Sequence, residues 1–559
     1  MSKQDSDLTK VTPPNELDED QRLAILNHFF RKLAAHRNRA RLFAETECNL
    51  STKLENGNID VMELYLAEIN RWAQELLQNA WVGCQEPGDG NCPILDPLSD
   101  TSTSGLPRLP NQEYVNQVLN TILFLHLTTS QGYNAHTRTF LSNFGTLDED
   151  GIVATLKNPK HAVQEAERKT QSAREEHAQR DQTLRKVGMG LAAIGGGVLI
   201  GVSGGLAAPL VGAGVTTVLG WLGVGGTAVG LLAGGLASSS VVCGALFGVY
   251  GSKKSVEMIG RYTREVRDLA IMPVRPPRET LAVRLCVSGW LASPEDVTAP
   301  WSVFGGDDTF ALQWEVEALM ELSQALRTLV KTQAMHYVKS QIIRRTVLAA
   351  LFSALSPTSW LKIVQVIGGL FLKDNPWMAA KTRASKAGRV LGTLLAQCVL
   401  GNRPVTLVGY SLGSLVIFEA LLHLAALAPE QTAGLVQDVY LFGAPVSVDE
   451  KAWTSARRVV SGRFVNGYSN GDYILAVLAR VSGMSWGVAG LRNVEVQGVE
   501  NLECTEVDGH LKWRGMVGRC SQLCKAPGIV DSEVQLQMEK QGNKIVEEME
   551  MSESNAKEV

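Results

Sequence analysis

The sequence predicts an α/β chain: a parallel-sheet domain in the second half, preceded by an N-terminal helical domain and a Gly-rich transmembrane helical hairpin. Three observations carry this. From Leu281 onward short β-branched runs alternate with helix-like apolar patterns, as βαβ units and a parallel sheet require. No charged residue occurs from Val187 to Ser252, a stretch about three times the ~20 residues that cross a bilayer. One β-branched run, Pro404 to Val408, meets Gly409-Tyr410-Ser411-Leu412-Gly413, and an apolar helical pattern follows at once. That is the strand–turn–helix setting of a nucleophile elbow.

Taken in order, residues 1–20 are polar and acidic, lack the apolar core of a signal peptide, and read as disordered. Residues 21–150 repeat apolar positions at helical spacing, as in Val61, Leu64, Leu66 and Ile69, and read as a helical domain interrupted by a Pro/Gly/Asp/Ser loop from Cys84 to Pro110. Residues 155–186 mix both signs of charge, which suits a solvated helix or short coiled coil. Residues 187–252 form the expected hairpin. Gly197/Gly201/Gly205 and Gly226/Gly230/Gly234 give the small-xxx-small spacing that lets membrane helices approach closely, and so a route to a homo-oligomer. Arg185 and Lys186 at one end, with Lys253 and Lys254 at the other, favour an even number of crossings with both flanks in the cytosol.

The sheet domain is expected over 275–515, with strands at Leu281–Val287, Thr309–Trp314, the elbow strand, Gln437–Pro445, Arg463–Tyr468 and within Val494–Cys504. Within it, 346–372 is apolar but broken by Pro357 and Lys362, which suits a lid or a membrane-contacting insertion. Residues 520–559 turn polar and acidic and read as a disordered tail.

Composition narrows the function. The 559 residues carry a net charge of −4, so no basic field points to nucleic acid. The nine cysteines show no zinc spacing; Cys520 and Cys524 form a C-x3-C without a partner pair, so neither metal nor cofactor is expected and the thiols read as reduced.

The chemistry converges on Ser411. Gly409 and Gly413 allow strand and helix to approach closely while the serine is pushed out above the sheet. A second Gly-x-Ser-x-Gly at Ser203 lies inside the uncharged stretch without a flanking strand and reads as membrane packing. A serine nucleophile needs a base, and the base needs an acid that holds its tautomer. Only His423 and His510 follow Ser411. His423 sits well inside the elbow helix and cannot reach back, which leaves His510, in a loop after the last strand. Asp472, in the loop after the Arg463–Tyr468 strand, is the expected acid in the order Ser, Asp, His, with Asp449, Glu506 and Asp508 as rivals. The oxyanion donors are expected to be the backbone N–H of Leu412 and one from Ser288-Gly289-Trp290-Leu291, that of Trp290 or Leu291, with Gly289 permitting close approach.

The uncharged Gly-rich segment after a charged helix, together with Val287-Ser288-Gly289-Trp290-Leu291, Gly409-Tyr410-Ser411-Leu412-Gly413, Phe442-Gly443-Ala444-Pro445, Gly471-Asp472-Tyr473 and Gly509-His510-Leu511-Lys512, resembles the transmembrane and coiled-coil domain-containing family. Its eukaryotic members are membrane-associated and carry an α/β-hydrolase-like domain. The resemblance covers about residues 20 to 515. It implies a membrane protein with a Ser411–Asp472–His510 triad and, from fungal relatives, hydrolysis of lipid or phospholipid esters. The expectation is a serine hydrolase anchored in an intracellular membrane with several crossings, taking hydrophobic esters from membrane lipids. The alternative is a catalytically inactive hydrolase-fold scaffold.

Overall fold

The computed structural model describes residues 6–51, 58–88, 90–169, 212–248, 250, 252–337, 376–482 and 487–540. It divides into two compact units: residues 1–38, 70–133 and 140–248 form one, and 39–69, 134–139 and 249–559 the other. The long helices α1 (Glu19–Ser51) and α2 (Asn58–Gly83) each contribute residues to both.

In the first unit α3 (Gln112–Ser130) is the central helix. Its apolar residues Val115, Val118, Leu119, Ile122, Leu123, Phe124, Leu125 and Leu127 are buried around the whole circumference, as a core helix requires. The side chain of Asn111 caps its start by accepting from the Glu113 N–H. The N-terminus departs from the expected disorder from Ser6 onward. Leu8, Val11 and Leu17 are buried, and Gln117 on α3 donates to the carbonyls of Thr9 and Thr12. Three apolar anchors and satisfied carbonyls suffice to hold a polar segment. Residues 159–169 continue the charged segment as a helix, where Lys169 pairs with Asp7; residues 170–186 lie outside the described residues.

The expected transmembrane hairpin takes a different form where it is described. Residues 187–211 lie outside the described residues; the remainder is three short helices, α4 (Gly212–Trp221), α5 (Gly226–Ala237) and α6 (Ser239–Phe247). Among the described residues no single helix is long and apolar enough to cross a membrane; α5 and α6 pass that test only together, bent by 60° at their junction. The cause is local. Gly223 and Gly226 take positive φ and break α4 from α5, and Ser238 separates α5 from α6. Ala228, Leu232, Gly235 and Leu236 turn inward, and Gly235 lies against Thr128 of α3.

In the second unit a seven-stranded sheet runs in the order β1-β3-β2-β4-β5-β6-β7. The strands are β1 (Ala270–Pro273), β2 (Val283–Val287), β3 (Asp308–Gln313), β4 (Val405–Tyr410), β5 (Val436–Phe442), β6 (Phe464–Tyr468) and β7 (Val499–Glu503). β2 to β7 are parallel, and only β1 is antiparallel, on β3. β2, β4 and β5 are buried along their whole length, as β-branched strands covered on both faces are. β1 was not expected: it is four residues long, ends in Pro273 and lies between charged residues, so it carries no alternating pattern.

The connecting helices are α7 (Val316–Tyr337), α8 (Pro376–Ala396), α9 (Leu412–Ala426), α10 (Glu450–Arg458), α11 (Tyr473–Val481) and α12 (Trp513–Leu523). The insertion expected at 346–372 lies outside the described residues. The tail expected from 520 begins instead inside α12 and then packs on the sheet unit. Gly305 N–H donates to the Gly528 carbonyl at 2.7 Å, Val530 N–H to that of Val303 at 2.9 Å, and residues 531–540 are helical. Buried Val534 and Ala526 supply the apolar contact that the polar average conceals.

This topology selects a location. After β2 the chain crosses to β3 on one side and returns as β4 on the other. The loops leaving β2 and β4 therefore diverge at the carboxyl ends of the strands, where ligand crevices form in open α/β sheets.

Candidate active site

Ser411 stands at that switch point. β4 ends at Tyr410, and Ser411 takes φ 53° and ψ −127° before α9 begins at Leu412. The turn is bolted to the neighbouring strand. Ser411 N–H donates to the Phe442 carbonyl at 2.9 Å. The Ser414 hydroxyl bridges the carbonyls of Gly409 and Phe442 and accepts from the Phe442 N–H.

Two further loops reach the same point. Asp472 follows β6 and caps α11, its Oδ1 accepting the Leu475 N–H at 3.0 Å. His510 follows β7 in a short 3-10 turn leading into α12. The three side chains form a line: Ser411 Oγ lies 2.5 Å from His510 Nε2, and His510 Nδ1 lies 2.7 Å from Asp472 Oδ2. An ionised carboxylate only accepts, so the Asp472 contact places a proton on Nδ1 and leaves Nε2 to accept from the serine hydroxyl. All three residues are fully buried (0%). Trp377, at the start of α8, stands edge-on to the His510 ring at 6.2 Å and donates from Nε1 to Ser482.

The loop after β2 presses against the elbow. A side chain at Gly289 would collide with the Tyr410 carbonyl oxygen and crowd the Leu412 and Gly413 nitrogens; one at Gly413 would collide with the Val287 carbonyl. Both glycines are thus fixed by backbone-to-backbone contact. Gly409 is similarly crowded by Ile417 and the Gly413 backbone. The Tyr410 hydroxyl donates to the Trp290 carbonyl at 2.9 Å, fixing the loop, and burial pushes this phenol well above its ordinary value. The Leu291 N–H is directed to the Leu319 carbonyl at 3.4 Å. The Trp290 side chain is buried, and its indole lies 5.4 Å from the Arg514 guanidinium.

The rivals are placed elsewhere. Asp449 precedes α10, Glu506 pairs with Arg519, and Asp508 pairs with Lys512. His423 lies 3.0 Å from the Thr393 hydroxyl between α8 and α9. Ser203 lies outside the described residues. Sequence reasoning missed Trp513, whose Nε1 donates to Asp472 Oδ2 at 2.8 Å, and the buried Asp296–Arg514 pair beside Trp290. The available signal was spacing: residues 513 and 514 fall three and four positions after the base, one helical turn on.

Residues 182–524 match the model of a family described as "Protein of unknown function (DUF726)". The chain is 37% identical over 362 residues to an uncharacterized membrane protein, C6F6.13c, of Schizosaccharomyces pombe, covering 63% of this chain and 61% of that one. It is 36% identical over 334 residues to the rice transmembrane and coiled-coil domain-containing protein STS1, covering 58% and 49%. It is 38% identical over 298 residues to the probable lipase MIL1 of Saccharomyces cerevisiae, covering 52% and 26%. The chain thus spans between about a quarter and three fifths of these relatives' own lengths. No solved structure matches it. With the family model spanning more than half its length, the chain belongs to the DUF726 family.

Proposed function

We propose that this protein is a membrane-associated serine hydrolase that cleaves lipid or other hydrophobic carboxylic esters through a Ser411–His510–Asp472 triad. The observation that carries the reading is the unbroken line Ser411 Oγ–His510 Nε2 at 2.5 Å and His510 Nδ1–Asp472 Oδ2 at 2.7 Å. The setting agrees with an α/β-hydrolase: the nucleophile follows a central parallel strand in a strained turn, and acid and base follow in that order after later strands. The membrane and lipid parts rest on the names of the relatives, one a membrane protein and one a probable lipase.

In this mechanism His510 Nε2 takes the Ser411 proton as Oγ attacks the ester carbonyl. The N–H groups of Leu412 and Trp290 face the resulting oxyanion. Leu291 is the weaker candidate, because its N–H is directed to Leu319. As the intermediate collapses, His510 returns the proton to the leaving alcohol, and Ser411 is left acylated. Water, deprotonated by His510, then releases the acid and regenerates the serine. Asp472 holds Nδ1 protonated throughout.

One observation favours the second reading, an inactive scaffold: Ser411 has no solvent exposure. The two readings part on hydrolysis of a medium-chain fluorogenic ester by the full chain in phospholipid vesicles. The hydrolase reading expects turnover that falls by on the order of 10⁶ in Ser411→Ala and comparably in His510→Ala. Turnover unaffected by either substitution, or absent from the folded wild type, supports the scaffold.

A further inference from the structure

One helical turn after the base, two adjacent side chains diverge to two different parts of the site. Trp513 Nε1 donates at 2.8 Å to Asp472 Oδ2, the same oxygen that faces His510 Nδ1. With Leu475 N–H on Oδ1, this donor completes the set around a carboxylate that has no access to water. The indole is stacked on Phe442 at 6.3 Å, and Gly443, at φ 56°, follows directly. A side chain at 443 would collide with Trp513 Nε1, so the Phe442-Gly443 step is shaped to admit this indole. That gives the Phe442-Gly443-Ala444-Pro445 run a role that the triad alone leaves without explanation.

Arg514 turns the other way. Its Nη1 donates to both carboxylate oxygens of Asp296, at 2.7 and 2.6 Å, with both side chains almost wholly buried. Asp296 lies in the 3-10 turn Pro294–Val297, within the connection that follows β2. Its Oδ2 also accepts from the N–H groups of Ala292 and Ser293, and its carbonyl accepts from the Ser288 hydroxyl. Ser288, Gly289 and Trp290 are therefore tied through Asp296 to the helix that starts just after His510. A buried ion pair seldom stabilises more than an apolar pair of the same shape, whereas it does fix a geometry.

We infer that Trp513 and Arg514 are positioning residues of the Ser411 site, forming a brace in which one holds the acid against the base and the other holds the oxyanion loop against the elbow. The inference rests on the hydrolase reading and extends it to residues that touch neither substrate nor Ser411. The two arms have different signatures. Without the indole N–H, Asp472 Oδ2 carries more unshared negative charge toward His510, so protonated His510 is favoured and reaction is lost at a higher pH. Without the Arg514 tie, the loop donors loosen while the Asp472–His510 contact is untouched, so the rate falls at every pH alike.

The test measures the kinetics of fluorophosphonate labelling on the full chain in vesicles, as the inactivation rate constant and the probe affinity separately, from pH 5 to 9. Trp513→Phe keeps an aromatic ring against Phe442. Paired Asp296→Asn and Arg514→Met remove both charges together, so no lone buried charge threatens folding. Thermal midpoints report folding in each. The brace predicts that both variants label roughly tenfold more slowly with probe affinity unchanged, the loss expected for one hydrogen bond to a charged group. The acid limb moves to higher pH only in Trp513→Phe. Folded variants that label at the wild-type rate, or lose labelling only in proportion to lost folded protein, overturn the brace and leave the hydrolase reading standing. A folded wild type that takes up no probe overturns both.

Discussion

Ser411 holds φ 53° and ψ −127° at the tip of the elbow, a region that costs an L-residue roughly 1–3 kcal/mol. The cost is met by the surrounding bonds, from Ser411 N–H to Phe442 and from Ser414 to both strands. Replacing the serine with glycine removes the Cβ that makes the conformation costly. Ser411→Gly is therefore expected to be about 1 kcal/mol more stable than Ser411→Ala, by denaturant unfolding of the two variants side by side. Equal stabilities would mean that the elbow stores no such strain. The convergence of Ser411, His510 and Asp472 was legible in the sequence because the constraints were few. One Gly-x-Ser-x-Gly had a strand before it, and only two histidines followed. Trp513 was harder to read: its place one helical turn after His510 was the signal, but a tryptophan at the start of a helix reads as core, and its hydrogen bond to Asp472 depends on a loop about forty residues away.

At the scale of elements, Asp472 has two tasks. It caps α11 through Oδ1 and faces His510 through Oδ2. The tasks separate on substitution. Asparagine keeps an acceptor for the Leu475 N–H, so Asp472→Asn should preserve the cap, whereas Asp472→Ala should lose about 1 kcal/mol of stability. Both should label Ser411 about 10⁴-fold more slowly, because neither holds the Nδ1 proton as a carboxylate does. An Asn variant that labels at the wild-type rate would remove Asp472 from the mechanism. The parallel strands were legible from their β-branched runs, since buried strands cannot avoid them: β2 to β6 fall within or beside the stretches so marked. β1 and the segment after Cys524 were not, because each is held by a few backbone bonds and single apolar residues. The uncharged stretch is described only from Gly212 onward, as three short helices. Lack of charge reports only that a residue can be buried, and α5 buries Leu232 and Leu236 against protein.

At the scale of the molecule, the two units carry separate properties. The helical unit holds His126 on α3, 3% exposed, where burial pushes its pKa down to about 4. Unfolded, the same histidine titrates near 6.5, so the unfolded chain binds the extra proton first. Its contribution is fully present above pH 6.5 and is lost as pH falls toward 4, reaching about 3 kcal/mol. Thermal midpoints across pH 4 to 7 should therefore fall less steeply in His126→Leu than in the wild type; parallel curves would show that His126 is not held neutral. The sheet unit holds the proposed chemistry, in which Ser411 is an activated nucleophile although it is buried. The most direct measurement is fluorophosphonate labelling of the full chain in vesicles, with the modified residue located by mass spectrometry. An adduct is expected on Ser411, lost in Ser411→Ala and His510→Ala and retained in Ser203→Ala. A folded wild type that forms no adduct, or an adduct that survives His510→Ala at full rate, would contradict it.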